Sequence, residues 1–256
     1  MSAPREIRRL DTRHLGRSVL IFGEVPSTND LAATFAHDLR HAGTVFVADF
    51  QTGGRGQYGR VWRADPGTSL LMSVLLFPPP ELRRPVVLTA WAAVGIADAI
   101  ADLTGAQARI KWPNDLLIGG KKVCGILIEQ AFAVVVGLGL NLNQTAGDFD
   151  DLPDATSLGI AADRRIDPDA ALETVLRHLD IGYDRLLSEE LPALESEWRR
   201  RVGLVGRPVR IEGTDGTSQV GILRTMGFDG LALEGGDSIR PESIRALSGI
   251  AAIALH

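Results

Sequence analysis

Cysteine is almost absent: Cys124 stands alone in 256 residues. One thiol excludes an internal disulfide framework and a multi-cysteine metal site, and it suits a reducing cytosol. Basic residues are not in excess either. With Lys+Arg 27 against Asp+Glu 32, a formal net charge of -5 and a pI near 5.6, the chain carries no overall footprint for nucleic acid, so DNA is not expected as a main partner. The five histidines are scattered, without a ligand spacing such as H-E-x-x-H, and no metal-ligating residues are assigned. The charged start, Met1 to Leu10, is not followed by a signal-peptide core, and no run approaches a membrane span. A soluble, cytoplasmic protein without a membrane partner is the expectation. No repeat or low-complexity tract occurs. What remains is an ordinary globular composition, 45% hydrophobic, long enough for one large domain or a main domain with a small appendage.

The most informative stretch is Gln51 to Trp62, QTGGRGQYGRVW, with four glycines and two arginines. It lies between the apolar runs Val45 to Phe50 and Ser69 to Phe77 and reads as an irregular segment joining two strands. Glycine lets backbone N–H groups approach a ligand closely, and arginine offers a planar fork of donors, so the loop suits an anion such as phosphate. A flexible hairpin loop with incidental arginines is the bland alternative. Gly54, Gly56 and Gly59 fit G-x-G-x-x-G literally. The dinucleotide reading fails on context, because the third glycine is followed by a polar segment broken at Pro66-Gly67 rather than by a helix. A kinase would also need V-A-I-K, H-R-D and D-F-G elements, and none is present.

In chain order, Val19 to Val25 reads as a strand leading through Pro26 into Ser27-Thr28-Asn29-Asp30. Leu31, Ala32, Phe35, Ala36 and Leu39 follow at helical spacing. Ser27 to Asp30 scores as a capping box, the reading these residues favour by themselves, and the same hydroxyls and amide offer more polar groups than one cap uses, enough to bind a polar ligand head as well. Pro85 stands where a helix begins, and Val86 to Leu103 is apolar nearly all round, which places that helix in the core. Arg109 to Asp115 and Leu116 to Ile118 lead to a Gly119-Gly120 hairpin turn and a strand through Glu129. Lys111, Asn114, Asp115 and Lys122 then fall near the ends of adjacent strands, with Lys122 at the mouth of the apolar run Val123 to Ile128. Val134 to Asn141 reads as a buried strand whose Gly137 and Gly139 leave room for a ligand or for a closely packed helix. Leu172, Val175, Leu176, Leu179, Tyr183 and Leu186 mark one amphipathic helix, and Leu191, Leu194 and Trp198 a second. From Val205 short strands with turns at Asp215-Gly216, Asp229-Gly230 and Gly235-Gly236 suggest a small barrel.

Four segments together resemble the biotin protein ligases: S-T-N at Ser27 to Asn29, Q-T-x-G-R-G from Gln51, K-W-P-N-D from Lys111 with K-x-x-G-I-L-x-E from Lys122, and G-x-G-x-N at Gly137 to Asn141. The resemblance spans about Val19 to Leu158, with the tail alike in texture only. It implies an α+β fold, a mixed β-sheet flanked by helices related to class II aminoacyl-tRNA synthetases, over residues 1–203. Residues 204–256 would form a small SH3-like β-barrel. It further implies ATP and biotin as substrates with Mg2+, formation of biotinyl-5'-AMP, and transfer of the biotinyl group to a lysine of a biotin carboxyl carrier domain, by default that of acetyl-CoA carboxylase. A monomer or a homodimer paired through edge strands is implied, and the sequence does not identify those edges.

Carried over residue by residue, the resemblance gives Lys122, Arg55 and Asp115 the catalytic roles. Lys122 and Arg55 would neutralise the two reacting anions, and Asp115 would orient or deprotonate the incoming amine. Biotin would meet Ser27, Thr28, Asn29, Gln51, Arg55, Gly56, Gln57 and Lys122 over a floor of Gly125, Gly137 and Gly139. ATP would meet Arg55, Gly56, Gln57, Gly59, Arg60, Trp62, Lys111, Asn114, Lys122 and Asn141. Three positions depart from the usual family pattern: Gln57 stands where many relatives have a second loop arginine, and Gly53 and Cys124 where alanine is frequent. Cys124 is expected to be a buried space-filler. The glycine loop is expected to be mobile without ligand. About eighteen residues precede the first catalytic strand, too few for the winged helix of repressor relatives, so no repressor function is expected.

Overall fold

The computed structural model describes residues 3–188 and 190–250. Eight strands form one sheet: β1 (Glu6–Arg8), β2 (Val19–Val25), β3 (Val45–Gln51), β4 (Ser69–Leu76), β5 (Arg109–Lys111), β6 (Asp115–Ile118), β7 (Lys121–Gln130) and β8 (Val134–Asn141). Their order is β1-β2-β3-β4-β8-β7-β6-β5, with β2 and β3 parallel and the other neighbours antiparallel. The expected mixed sheet is present, and its edges are β1 and β5. Both faces of β4 and β8 are buried, which is why these two read as nearly continuous apolar runs rather than alternating ones.

The helices are α1 (Thr28–Ala33), α2 (Pro85–Thr104), α3 (Leu158–Ala162), α4 (Pro168–Leu187) and α5 (Leu191–Val202). Contrary to the reading that no run approaches a membrane span, α2 is long and apolar enough to cross a membrane by length and composition. Of its most apolar window, 67% is buried inside the protein, so its hydrophobicity serves the core. It packs on α4, with the Trp91 indole donating to the Leu179 carbonyl at 3.1 Å. The helix expected from the spacing of Leu31 to Leu39 stops at Ala33. Turns follow, and Leu39 lies in an exposed single turn whose Asp38 accepts from the Arg40 backbone N–H, so a local carboxylate cap outweighs the apolar spacing.

The N-terminal segment is fastened to α4 by one carboxylate. Asp180, 7% exposed, accepts the backbone N–H groups of Arg13, His14 and Leu15 at 2.8, 2.7 and 2.8 Å. One turn later Asp184 pairs with Arg13 and His14, and the His14 hydrogen bond holds its carboxyl below the usual carboxylate range.

After α5 the chain forms a four-stranded antiparallel sheet of β9 (Pro208–Gly213), β10 (Ser218–Met226), β11 (Leu231–Leu233) and β12 (Ile244–Gly249), ordered β11-β10-β9-β12. Residues 251–256 of the expected small domain lie outside the described residues. The sheet packs against the rest through Trp198, whose ring meets Trp112 at 5.9 Å and Phe228 at 5.4 Å. Apolar burial is continuous across this junction, from Val202 through Val209, Ile211 and Leu223.

Candidate active site

The start of α1 is a helix end without its own cap. Ser27 occupies the N-cap position in extended conformation, yet its side chain makes no capping bond, so the expected capping box is not formed. Gln51, the last residue of β3, supplies the acceptor instead: its Oε1 takes the Thr28 backbone N–H at 2.7 Å and the Thr28 hydroxyl at 3.1 Å. An orphan helix N–H is thereby satisfied by a residue 23 positions away. Beneath them, Ser73 on β4 donates to Thr28 Oγ1 at 2.7 Å or to Asn29 Oδ1 at 2.6 Å. Ser73 is fully buried and was not singled out from the sequence. A lone polar residue inside the eight-residue apolar strand SLLMSVLL was the available signal.

The glycine loop is not irregular here. The Gly56 N–H donates to the Arg60 carbonyl at 2.7 Å and the Trp62 N–H to the Gly54 carbonyl at 3.0 Å, with Tyr58 (φ 57) and Gly59 (φ 73) turning the tip. This short hairpin lays Trp62 against the sheet. A Cβ on Gly139 would come within 2.4 Å of the Trp62 ring, and one on Gly137 within 2.1 Å of Asn29 Oδ1. At Gly137 the close approach is that of helix α1 through Asn29, and at Gly139 it is that of the loop through Trp62.

Lys122 stands over the Trp62 ring at 5.6 Å, and its ammonium pairs with Asp115 at 2.6 Å. The β6–β7 hairpin causes this meeting, since antiparallel pairing brings the start of β7 to β6. Arg55 does not reach freely into the cleft. Its guanidinium bonds Asp30 at 2.7 Å and Glu129 at 3.0 Å, and the Asp30 bond keeps it protonated above its ordinary range, with Glu129 adding to this. Burial pushes the Cys124 thiol well up, so it is an inert part of the core, as expected.

These groups surround one cleft of about 120 Å3. Of the residues expected at a site, Ser27, Thr28, Asn29, Gln51, Arg55, Gly56, Gln57, Arg60, Trp62, Asn114, Asp115, Lys122, Gly125, Gly137 and Gly139 line it. Gly59, Lys111 and Asn141 do not. Gly59 turns the loop tip, Lys111 is exposed on edge strand β5, and Asn141 is buried, donating to the Thr156 carbonyl at 3.0 Å. Asn114 also spends its amide on structure, donating to the Ile126 carbonyl. Trp62 covers the glycine floor. The sequence reading missed Val61, Ile126, Leu127 and Leu138, which give the cleft apolar walls, gave Asp30 only a place in the capping box, and gave no role to Glu129. Among the described residues, no group of three or more His, Cys, Asp or Glu is placed to hold a metal ion.

The profile of the Biotin/lipoate A/B protein ligase family matches residues 22–141, the span that builds this cleft. The biotin--[acetyl-CoA-carboxylase] ligase of Mycobacterium tuberculosis is 35% identical over 226 residues, covering 84% of this chain and 82% of that protein. The chain belongs to the biotin protein ligase family. Another family member, the bifunctional ligase/repressor BirA of Bacillus subtilis, is 35% identical over 216 residues, and the match spans 81% of this chain but only 66% of that relative's length. Among solved members, the biotin protein ligase of Aquifex aeolicus in complex with biotin and ATP superposes with a TM-score of 0.76 at 25% identity. It covers 91% of this chain and 99% of that one.

Proposed function

We propose that this chain is an ATP-dependent biotin protein ligase. The observation that supports the reading best is the convergence, in one small cleft, of a neutral polar set on α1 and β3 with the Lys122–Asp115 pair. The set of Ser27, Thr28, Asn29 and Gln51 suits a ureido ring, the apolar walls suit its short acyl chain, and the chain's carboxylate then meets the cations. A biotin carboxylate oxygen attacks the α-phosphorus of ATP, the bond to pyrophosphate breaks, and biotinyl-5'-AMP forms. The amine of a carrier lysine then attacks the acyl carbon, loses a proton to Asp115, and expels AMP. Lys122 and Arg55 lower the repulsion between two anions and stabilise charge developing on the α-phosphate. No enzyme nucleophile is required, and enclosure under the loop shields a mixed anhydride from water.

Mg2+ is assigned to the ATP phosphates as part of the substrate. Gly59 and Lys111 are retained as nucleotide contacts made outside the cleft, whereas the buried Asn141, bonded to Thr156, Ser69 and Gln144, supports the strand beneath rather than the nucleotide. Residues 1–203 act as the catalytic domain and residues 204–256 as an SH3-like appendage. The acceptor is a biotin carboxyl carrier domain of acetyl-CoA carboxylase, and the reaction takes place in the cytoplasm. Incubation with ATP, Mg2+, biotin and an apo carrier domain tests the reading by mass. An unchanged carrier mass refutes it. Competition between biotin and octanoate separates it from the lipoate branch, for which a longer acyl tunnel would be needed.

Two smaller effects follow. Gln57→Arg restores a charged donor in the loop, and a hydrogen bond to a charged group contributes about 1.5 to 3 kcal/mol. Adenylate release from the variant should therefore be slower by about tenfold or more in a rapid-dilution assay. Gly137→Ala drives a methyl into Asn29 Oδ1, so calorimetry should show biotin affinity reduced about tenfold, the equivalent of one misplaced hydrogen bond.

A further inference from the structure

One carboxylate is shared by two residues that line the cleft. Glu129, on β7, takes the Asn29 amide Nδ2 at 2.7 Å on Oε2, and the Arg55 guanidinium at 3.0 and 3.2 Å on its two oxygens. In the ligase reading Asn29 is assigned to the biotin head and Arg55 to the reacting anions. An ionised carboxylate only accepts, so the amide must turn its NH2 toward Glu129 and its carbonyl toward the Ser73 hydroxyl, 2.6 Å away. That orientation is imposed by charge, since a neutral amide at residue 129 could face Asn29 with either end. Arg55 is in a different position. Its fork is shared between Glu129 and Asp30, so each carboxylate competes with an incoming phosphate for the same donors. Side chains of Arg55, Asp30 and Glu129 are 40%, 54% and 43% exposed, and ion pairs at such exposure contribute little to folding.

We propose that Glu129 is a positioning residue with opposite effects on the two substrates: it orients Asn29 for the biotin head and holds Arg55 back from the nucleotide. The assignment rests on the ligase reading above. Asp30 meets Arg55 but is not bonded to Asn29, so it shares only the second effect.

ATP–pyrophosphate exchange on the full chain, with biotin and MgATP varied separately, tests this with Glu129→Gln and Asp30→Asn. For E129Q the KM for biotin should rise about tenfold, the loss of one well-oriented hydrogen bond, while the KM for ATP should fall about threefold as a competing carboxylate is neutralised. For D30N the KM for ATP should fall similarly and that for biotin should stay within twofold. A merely structural residue would not move the two constants in opposite directions. The proposal is overturned if E129Q leaves the KM for biotin within twofold of wild type, if both constants rise together, or if D30N raises the KM for biotin as much as E129Q does. Absence of exchange in the wild-type chain would instead refute the ligase reading itself.

Discussion

Lys122→Ala should abolish biotin transfer to an apo carrier domain, with adenylate formation reduced by about a thousandfold or more. Removing a single neutral donor aimed at developing charge typically costs 100- to 1000-fold, about 2.7 to 4 kcal/mol, and here a full positive charge is removed. Lys122 is 33% exposed at the side chain and its ammonium lies 2.6 Å from Asp115, so the charge sits at the cleft rather than out in solvent. The fold should survive. The substitution leaves the β7 backbone bonds untouched, including that from the Lys122 N–H to the Asp154 carbonyl, and thermal unfolding should show a midpoint within a few degrees of wild type. Lys122→Arg keeps the charge and should recover part of the activity. Mass measurement of the carrier and pyrophosphate release together check both steps. Wild-type rates of both in the alanine variant would show that Lys122 is outside the reaction.

The largest effect on stability should come from a residue far from the cleft. Asp180→Ala removes the acceptor for three backbone N–H groups, those of Arg13, His14 and Leu15, in a place where the carboxylate is 7% exposed and Leu15 fully buried. A buried donor left without a partner costs about 1 to 3 kcal/mol, and water entering beside the exposed Arg13 would satisfy part of the loss. About 3 kcal/mol in total is expected, which for a chain of this size lowers the apparent melting midpoint by roughly 6 to 12 °C. Asp180→Asn keeps one accepting oxygen and should lose less. Because Asp180 holds the N-terminal segment on α4, the alanine variant should also speed hydrogen exchange at residues 13–15. Equal melting midpoints for wild type and alanine variant would contradict this account.

The two variants separate function from stability. Lys122 stands at a strand end, one-third exposed, with its charge turned to Asp115 and the Trp62 ring in the cleft rather than into the apolar core. Asp180 lies on a helix face against a loop, and its only evident task is to satisfy backbone donors. A carboxylate in an amphipathic helix gives no sign in the sequence of which it will do. Asp180 and Asp184 sit one turn apart, yet one is buried against three N–H groups while the other pairs with the exposed Arg13 and the half-buried His14.

Much of the architecture could be read from residues near one another in the chain. The strand at Val19–Val25, the start of α2 at Pro85, the hairpin at Gly119-Gly120 and the core stripe of α4 follow from local spacing and turn chemistry. Where local signals conflicted with distant partners, the sequence reading went wrong. The α1 cap was assigned to Ser27, but Gln51 reaches it from another strand. The segment from Gln51 to Trp62 reads as irregular or as a flexible hairpin loop, and cross-loop backbone bonds make it a hairpin.

By itself, the order of residues determined the resemblance to the biotin protein ligases, which in turn implied a mixed sheet, and that a glycine loop with Arg55 and a strand-end Lys122 carry the positive charge. Only the tertiary structure decided that Arg55 is tied to Asp30 and Glu129, that Trp62 covers Gly139, and that Ser73 completes the polar set. The physical reason is distance along the chain. Motifs record residue types at fixed short spacing, whereas the partners of Arg55 lie 25 and 74 positions away and meet it only when α1, the loop and β7 are folded together.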